Sequence, residues 1–397
     1  MKNWKKMMSA ALTAAMTVTM LAGCGGGETE KGSSDTIKIG GIGPVTGDAA
    51  IYGEAVKNGA ELAVKEINEA GGINGAQIEF NFQDDEADAE KAVNAYNTLK
   101  DWGMQALLGT VTSAPCVAVG EVAQADNMFL LTPSGTAVEC VQYDNAFRVC
   151  FSDPMQGAES AKYIADNQLA TKIAVIYNSS DVYSTGIYQA FAKEAETEGL
   201  EIVAAEAFTA ESKTDFSVQL QKAKDAGAEL VFLPFYYSEA ALVLQQAAGI
   251  NYSPIFFGCD GMDGILDVEG FDADLANNLM FLSPFTPTST DEAIQKFVTD
   301  YKEAYGGTPN QFAADAYDGG YRFVQSALGQ RMKAAMEKAE VTPDMSASDI
   351  CDVLKGAMTE ITISGVTAKE LTWEASGEPS KAPMVVKIAD GDYAVVE

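Results

Sequence analysis

The chain is 397 residues long and carries 57 Asp and Glu against 26 Lys and Arg, a formal net charge of −31. So acidic a surface repels phosphate backbones, which argues against nucleic acid as a partner. There is no histidine, which removes the Ser-His-Asp and Cys-His arrangements and the commonest metal ligand together. Nothing marks carboxylate-pair or lysine chemistry, so the expectation is no enzyme, no metal and no cofactor.

In chain order, the first legible segment is a positive start at Lys2, Lys5 and Lys6, followed by an apolar run over 7–21. That run is too short, and wrongly flanked, for a spanning helix. It ends in Leu21-Ala22-Gly23-Cys24, which resembles the lipobox of bacterial lipoproteins. The resemblance implies that residues 1–23 are a signal peptide and that the Cys24 thiol is acylated. An ordinary secretory peptide with a nearby cysteine is the bland alternative. Residues 24–34 read as a Gly-rich, polar, flexible tether. No later stretch has the ~18 apolar residues of a membrane helix, so the lipid is the expected contact with the membrane. Residues 35–397 are long for one core, which predicts two lobes.

The rest alternates short β-like runs with helical ones. A strand at 37–42 leads to a helix at 51–70, where Val56, Ala60, Ala63, Val64 and Ile67 fall on one stripe. Gly71-Gly72 ends that helix, and a strand follows at 78–82. Helix 87–102, strand 105–108, helix 113–126 and strand 128–131 complete the first series. The second runs strand 172–177, helix 183–198, strand 202–207, helix 215–226, strand 230–233, helix 238–248 and strand 254–257. Such alternation predicts parallel sheets with helices on both faces. After a strand at 279–282 come helices at 291–305, 311–338 and 346–359. Strands return at 371–374 and 384–396, with Asp390-Gly391 as a hairpin turn. Crossings between the two units are expected near 148–153, 282–285 and 364–372.

Other motifs have plain readings. Cys116, Cys140, Cys150, Cys259 and Cys351 lack the paired spacing of a zinc site and read as small buried hydrophobes. A Cys140–Cys150 bridge stays open. Gly40-Gly41-Ile42-Gly43 with Gly47 has the wrong spacing for a dinucleotide loop. Asp84, Asp85, Glu86 and Asp88 lack the calcium-loop spacing and read as a strand end and a first helical turn.

In open α/β sheets, ligands bind beyond the carboxyl ends of the strands. The loops there are 43–52, 109–113 and 132–136 in the first unit. They offer hydroxyls and backbone amides, with Ser113 at a helix start, which suits a carboxylate. In the second unit the loops are 178–183, 234–237 and 258–261. They offer Tyr183, Tyr236, Tyr237 and one acid, Asp260, which suits an ammonium group. On strand alternation one of Tyr236 and Tyr237 faces the cleft, and Tyr236 is expected to be that one. Together the two sets form a receptor for a zwitterion.

Several stretches carry a wider resemblance. They are Ile37-Lys38-Ile39-Gly40 with Pro44-Val45-Thr46-Gly47, Ala70-Gly71-Gly72-Ile73-Asn74-Gly75, Asp84-Asp85, Gly109 through Ser113, Thr132-Pro133-Ser134-Gly135-Thr136, and Phe147-Arg148. In this order and spacing the chain resembles the leucine/isoleucine/valine-binding family of ABC-transporter receptors. The likeness covers almost all of residues 36–397. It implies a type I periplasmic-binding-protein fold: α/β, two doubly wound parallel-sheet lobes joined by a three-segment hinge. Lobe 1 would be 35–150 plus 285–364, and lobe 2 would be 151–284 plus 365–397.

The resemblance also implies roles. Ser113 and Thr136 match the hydroxyls that hold the ligand α-carboxylate, and Ser134 matches a residue offering backbone groups to the α-amino end. Tyr183 and Tyr236 match ligand-facing aromatics of the second lobe. Asp260 matches the acid that pairs with the α-ammonium, where many relatives carry the longer Glu. Tyr52 matches a position beside the side-chain pocket. The implied function is an extracytoplasmic, monomeric receptor of an ABC importer. It would capture a small amino acid, neutral, branched-chain or related, between closing lobes and deliver it to permease subunits with cytoplasmic ATPases. A sensory protein of the same fold, or a receptor for an amide or aromatic acid, remain the alternatives.

Overall fold

The structure, a computed structural model, describes residues 36–320 and 331–396. The expected signal peptide, Cys24 and the expected tether lie outside the described residues, as does 321–330 of the helix expected over 311–338.

Two sheets organise the molecule. The first holds β1 (Thr36–Gly43), β2 (Gln77–Asp84), β3 (Ala106–Gly109), β4 (Leu130–Thr132) and β5 (Ala146–Arg148). Its order is β2-β1-β3-β4-β5, parallel throughout. The second holds β6 (Lys172–Asn178), β7 (Glu201–Phe208), β8 (Leu230–Leu233), β9 (Ile255–Gly258), β10 (Met280–Ser283), β11 (Met384–Ala389) and β12 (Asp392–Val395). Its order is β12-β11-β10-β9-β8-β6-β7, with only β10–β11 and β11–β12 antiparallel. Asp390 and Gly391 at the last hairpin have φ of 53° and 75°, the left-handed pair that an Asp-Gly turn favours.

Helices cover both faces of each sheet, so the inner strands are apolar on both sides. Every residue of β3, β4, β5 and β8 is buried. On the first sheet lie α1 (Ala50–Glu69), α2 (Ala89–Trp102) and α3 (Ser113–Ala125). The second carries α4 (Asp153–Asp166), α5 (Val182–Glu198), α6 (Ser217–Asp225) and α7 (Tyr237–Gly249). Then α8 (Glu292–Tyr305), α9 (Gln311–Gly320), α10 (Arg331–Lys338) and α11 (Ala347–Met358) return to the first, α8 and α9 packing on α1 and α11 on β3. Gly59 permits the α1–α9 approach, because a Cβ there would stand 2.2 Å from the Ala313 carbonyl oxygen. Three connections thus pass between the sheets: β5 to α4, β10 to α8, and α11 to β11.

Three elements differ from expectation: β5, α4 and the strand at 371–374. β5 and α4 fall where the sequence suggested only a crossing. β5 is three residues long, too short for a periodic pattern, while Pro154 in the first turn of α4 is a helix-start signal as well as a hinge signal. The strand expected at 371–374 joins neither sheet. It makes isolated bridges, Ile363 with Leu371 and Trp373 with Pro379, and the Trp373 indole N–H donates to the Arg148 carbonyl at 2.8 Å. The five cysteines are buried and unbridged. No helix among the described residues is long and apolar enough to cross a membrane.

Candidate functional site

The carboxyl ends of β3 and β4 deliver two loops that are wired to each other. Thr132 Oγ1 donates to the Thr110 carbonyl at 2.6 Å and accepts from the Gly135 N–H at 2.8 Å. Ser134 Oγ donates to the Val111 carbonyl at 2.7 Å. These bonds place Ser113, the first residue of α3, beside Thr136. Ser113 Oγ accepts from the Thr136 and Ala137 N–H groups at 3.3 and 3.2 Å and lies 3.5 Å from Thr136 Oγ1. Ser113 and Thr136 are both buried. Thr112, the residue before α3, makes no side-chain cap, and its buried hydroxyl has no partner. The result is a set of hydroxyls and amides at a helix N-terminus, a natural seat for an anion.

Across the cleft stands an acidic wall. Asp260 follows β9. Its Oδ1 accepts from the Tyr183 hydroxyl at 2.7 Å, and that hydroxyl accepts from the Gly261 N–H at 3.0 Å. The Asp260 N–H donates to Gln156 Oε1 at 3.0 Å, and Gln311 Nε2 donates to the Asp260 carbonyl at 2.7 Å. Burial pushes the Asp260 carboxyl up to about 6, with the Tyr183 bond working against the rise.

Asp153 was not foreseen. It opens α4, is 1 % exposed, and both carboxylate oxygens lack a hydrogen-bond partner. Its N–H donates to the Thr136 carbonyl at 2.9 Å, which fixes it beside the hydroxyl loops. A Cβ on Gly186 of α5 would stand 3.2 Å from Asp153 Oδ2, so α5 closes its other side. Burial raises its carboxyl well above the usual range; the nearby Thr136 hydroxyl works against the rise and the Asp260 charge adds to it. Gln156 and Gln311 were missed too. Each sits in the first turn of a helix, and an isolated Gln there has no distinguishing pattern.

Aromatic rings line the gap. Tyr183 and Tyr236 stack with centroids 4.9 Å apart, and Tyr52 meets Tyr236 edge-on at 5.5 Å. Tyr237 is occupied elsewhere. Its N–H donates to the Tyr52 hydroxyl and its own hydroxyl accepts from the Ile51 N–H, both at 3.3 Å. The Tyr52 hydroxyl donates to the Gly261 carbonyl, and its ring packs on Phe312 at 4.1 Å. Tyr52 and Tyr237 therefore link α1 to the second lobe, while Tyr236 faces the cleft. A cavity of about 280 Å³ opens beside Tyr236, lined also by Thr112, Ala114 and Pro115 on one side and by Asp181 and Glu239 on the other; Ser113, Thr136, Asp153 and Asp260 do not line it. At its rim Lys213 bridges Asp48 at 2.6 Å and Glu239 at 3.3 Å. Among the described residues no cluster of three acids or thiols could hold a metal.

Comparison with known proteins places the chain in a family. The sequence model of the periplasmic binding protein family matches residues 36–392. The chain belongs to that family. Its members are binding proteins rather than enzymes, working outside the cytoplasm. The "Leucine-, isoleucine-, valine-, threonine-, and alanine-binding protein" of Pseudomonas aeruginosa is 33 % identical, over 64 % of this chain and 67 % of its own. The "Leu/Ile/Val-binding protein homolog 3" of Brucella melitensis is 30 % identical over 78 % and 81 %. Among solved structures, the branched-chain amino acid transporter substrate-binding protein LivJ of Streptococcus pneumoniae, in complex with isoleucine, superposes with a TM-score of 0.80. It is 29 % identical, covering 91 % of this chain and 99 % of its own. A Rhodopseudomonas palustris solute-binding protein in complex with benzoate shares the fold at a TM-score of 0.78 and 20 % identity, over 91 % and 95 %.

Proposed function

We propose that this periplasmic binding protein is the receptor of an ABC importer and captures a small α-amino acid, neutral, branched-chain or related, between its two lobes. One observation carries the reading: a buried hydroxyl and amide seat for an anion (Ser113, Thr136) adjoins two buried carboxylates, Asp153 directly beside Thr136 and Asp260 under Tyr183. A free α-amino acid supplies both missing charges at the right ends. Tyr183 and Tyr236 would cover its ammonium side, Ser134 would hold the loop whose backbone it meets, and Tyr52 would bound its side chain. Hydrogen bonds to desolvated charged groups contribute roughly 1.5–3 kcal/mol each. Four or five of them, less ordering costs, correspond to ~μM affinity. Lobe closure provides the desolvation.

In the same reading, lobe 1 comprises 35–150 and 285–364 and lobe 2 comprises 151–284 and 365–397. Cys24 carries the lipid that holds the receptor to the outer face of the cytoplasmic membrane, and the receptor meets its permease as a monomer. A thermal-shift screen of the fragment from residue 35 against amino acids, amides and aromatic acids tests the ligand class. Stabilisation by small amino acids supports the reading. Stabilisation by an aromatic acid alone would leave Asp153 and Asp260 without a counter-charge and overturn it. Cys24→Ala should release the protein from the membrane fraction.

A further inference from the structure

The loop carrying Ser134 and Thr136 is gripped from behind by a buried guanidinium. Arg148 ends β5 and is fully buried. Nη1 donates to the Gly135 carbonyl at 3.0 Å and Nη2 to the Ala137 carbonyl at 2.9 Å. These are the carbonyls on either side of Thr136. A trans peptide points its C=O and N–H in opposite directions. Tying the Gly135 carbonyl to Arg148 therefore turns the Thr136 N–H the other way, toward Ser113 Oγ at 3.3 Å.

The grip is itself fixed. The Arg148 N–H donates to the Gly377 carbonyl at 3.1 Å, its carbonyl accepts from Trp373, and Glu378 Oε1 lies 3.1 Å from Nη2. Behind the loop there is no slack, since a Cβ on Gly135 would stand 3.1 Å from both Cys116 Sγ and Cys140 Sγ. Energetically the arrangement is not the stable way to fill this space. Nε is buried without a partner, and a hydrophobic side chain of similar volume would avoid that cost. What arginine adds is a planar fork that reaches two carbonyls at once, which lysine cannot reproduce. A cation on a peptide carbonyl also strengthens that peptide's N–H as a donor.

We propose that Arg148 is a positioning residue for ligand recognition, setting the Gly135–Ala137 peptides so that the loop prefers a charged carboxylate over a neutral carboxamide. This rests on the amino-acid reading above. The test is calorimetry on the full chain with Arg148→Lys, using leucine and leucine amide and reading the amide by competition where it is weak. Leucine affinity should fall roughly tenfold or more, as for one lost charged-group hydrogen bond. The amide should change much less, so that the acid-to-amide ratio collapses. Equal loss for both ligands, or no loss, overturns the role.

Glu378→Gln gives an independent arm, since Glu378 is 35 % exposed and its loss spares the core. It removes the counter-charge on Nη2 and leaves the fork in place, so the ratio should rise. An unchanged or lowered ratio overturns the role as well. Failure of the wild type to bind any amino acid would instead sink the site reading. Wild-type binding with an unmoved ratio in both variants sinks Arg148 alone.

Discussion

The two walls of the cleft are built from opposite logic. On the first, each hydroxyl of Thr132, Ser134 and Ser113 is engaged within the loops, and no formal charge faces the gap. The second buries Asp260 with one tyrosine hydroxyl, and Asp153, at its junction with the first, has no formal cation bonded to it and only the Thr136 hydroxyl close by. Buried charge is tolerated only when it is paired or neutralised. The first wall thus lacks a partner only for the Thr112 hydroxyl, whereas the second is short of a cation. A ligand that brings an ammonium group repairs the second wall and uses the first as a template.

The sharpest way to break this comparison is to remove the charge deficit. Asp260→Asn should abolish measurable amino-acid binding, a loss of about 100-fold or more from one buried ion pair, while the fold stays intact. Unchanged affinity by calorimetry would refute the assignment. Asp153→Asn should cost less, because Asp260 remains, and should raise the apo melting temperature by relieving a buried unpaired carboxylate.

Acidity separates the walls next. With its folded value raised to about 6, Asp260 binds a proton more tightly in the folded than in the unfolded chain. Its stability contribution is present below the unfolded value near 4 and is lost as pH rises through about 6. Ligand binding runs the other way, since the ammonium needs the ionised form. Affinity should fall by up to about tenfold per unit below pH 6, one proton being released on binding. A flat affinity between pH 7 and 5 contradicts the pairing.

On the neutral wall, Ser113→Ala should cost about 1.5–3 kcal/mol of binding and lower the melting temperature as well, because it leaves two buried N–H donors without their acceptor, as calorimetry and thermal melts would read. The smallest effect belongs to the rim. Lys213 is a third exposed and Asp48 mostly exposed, so Lys213→Ala should weaken binding by about 0–1 kcal/mol and more at low salt. A large salt-independent loss would place Lys213 on the ligand rather than on the rim.

Much of this was readable beforehand, for physical reasons. Long amphipathic helices and fully apolar strands carry their period in the sequence, so β1–β4 and β6–β10 fell near their expected places, and Asp390-Gly391 announced its turn. The loops beyond the strands followed from topology alone. What escaped depends on contacts distant in sequence. A three-residue β5 has no period. Segment 371–374 looks like a strand but is recruited by Arg148 and Thr372–Ser380 bonds. Tyr236 and Tyr237 are alike in sequence, and only the link of Tyr237 to Tyr52 and Ile51 separates them. Asp153 before Pro154 reads as any helix start, and its unpaired burial arises from Gly186 and Thr136.

The central claim is that the second wall requires an ammonium group. Titration calorimetry of leucine against its deaminated acid, 4-methylpentanoate, isolates that group while keeping the side chain and carboxylate. Leucine should bind with ~μM affinity and the acid at least about 100-fold more weakly. Equal affinity for the two would contradict the claim.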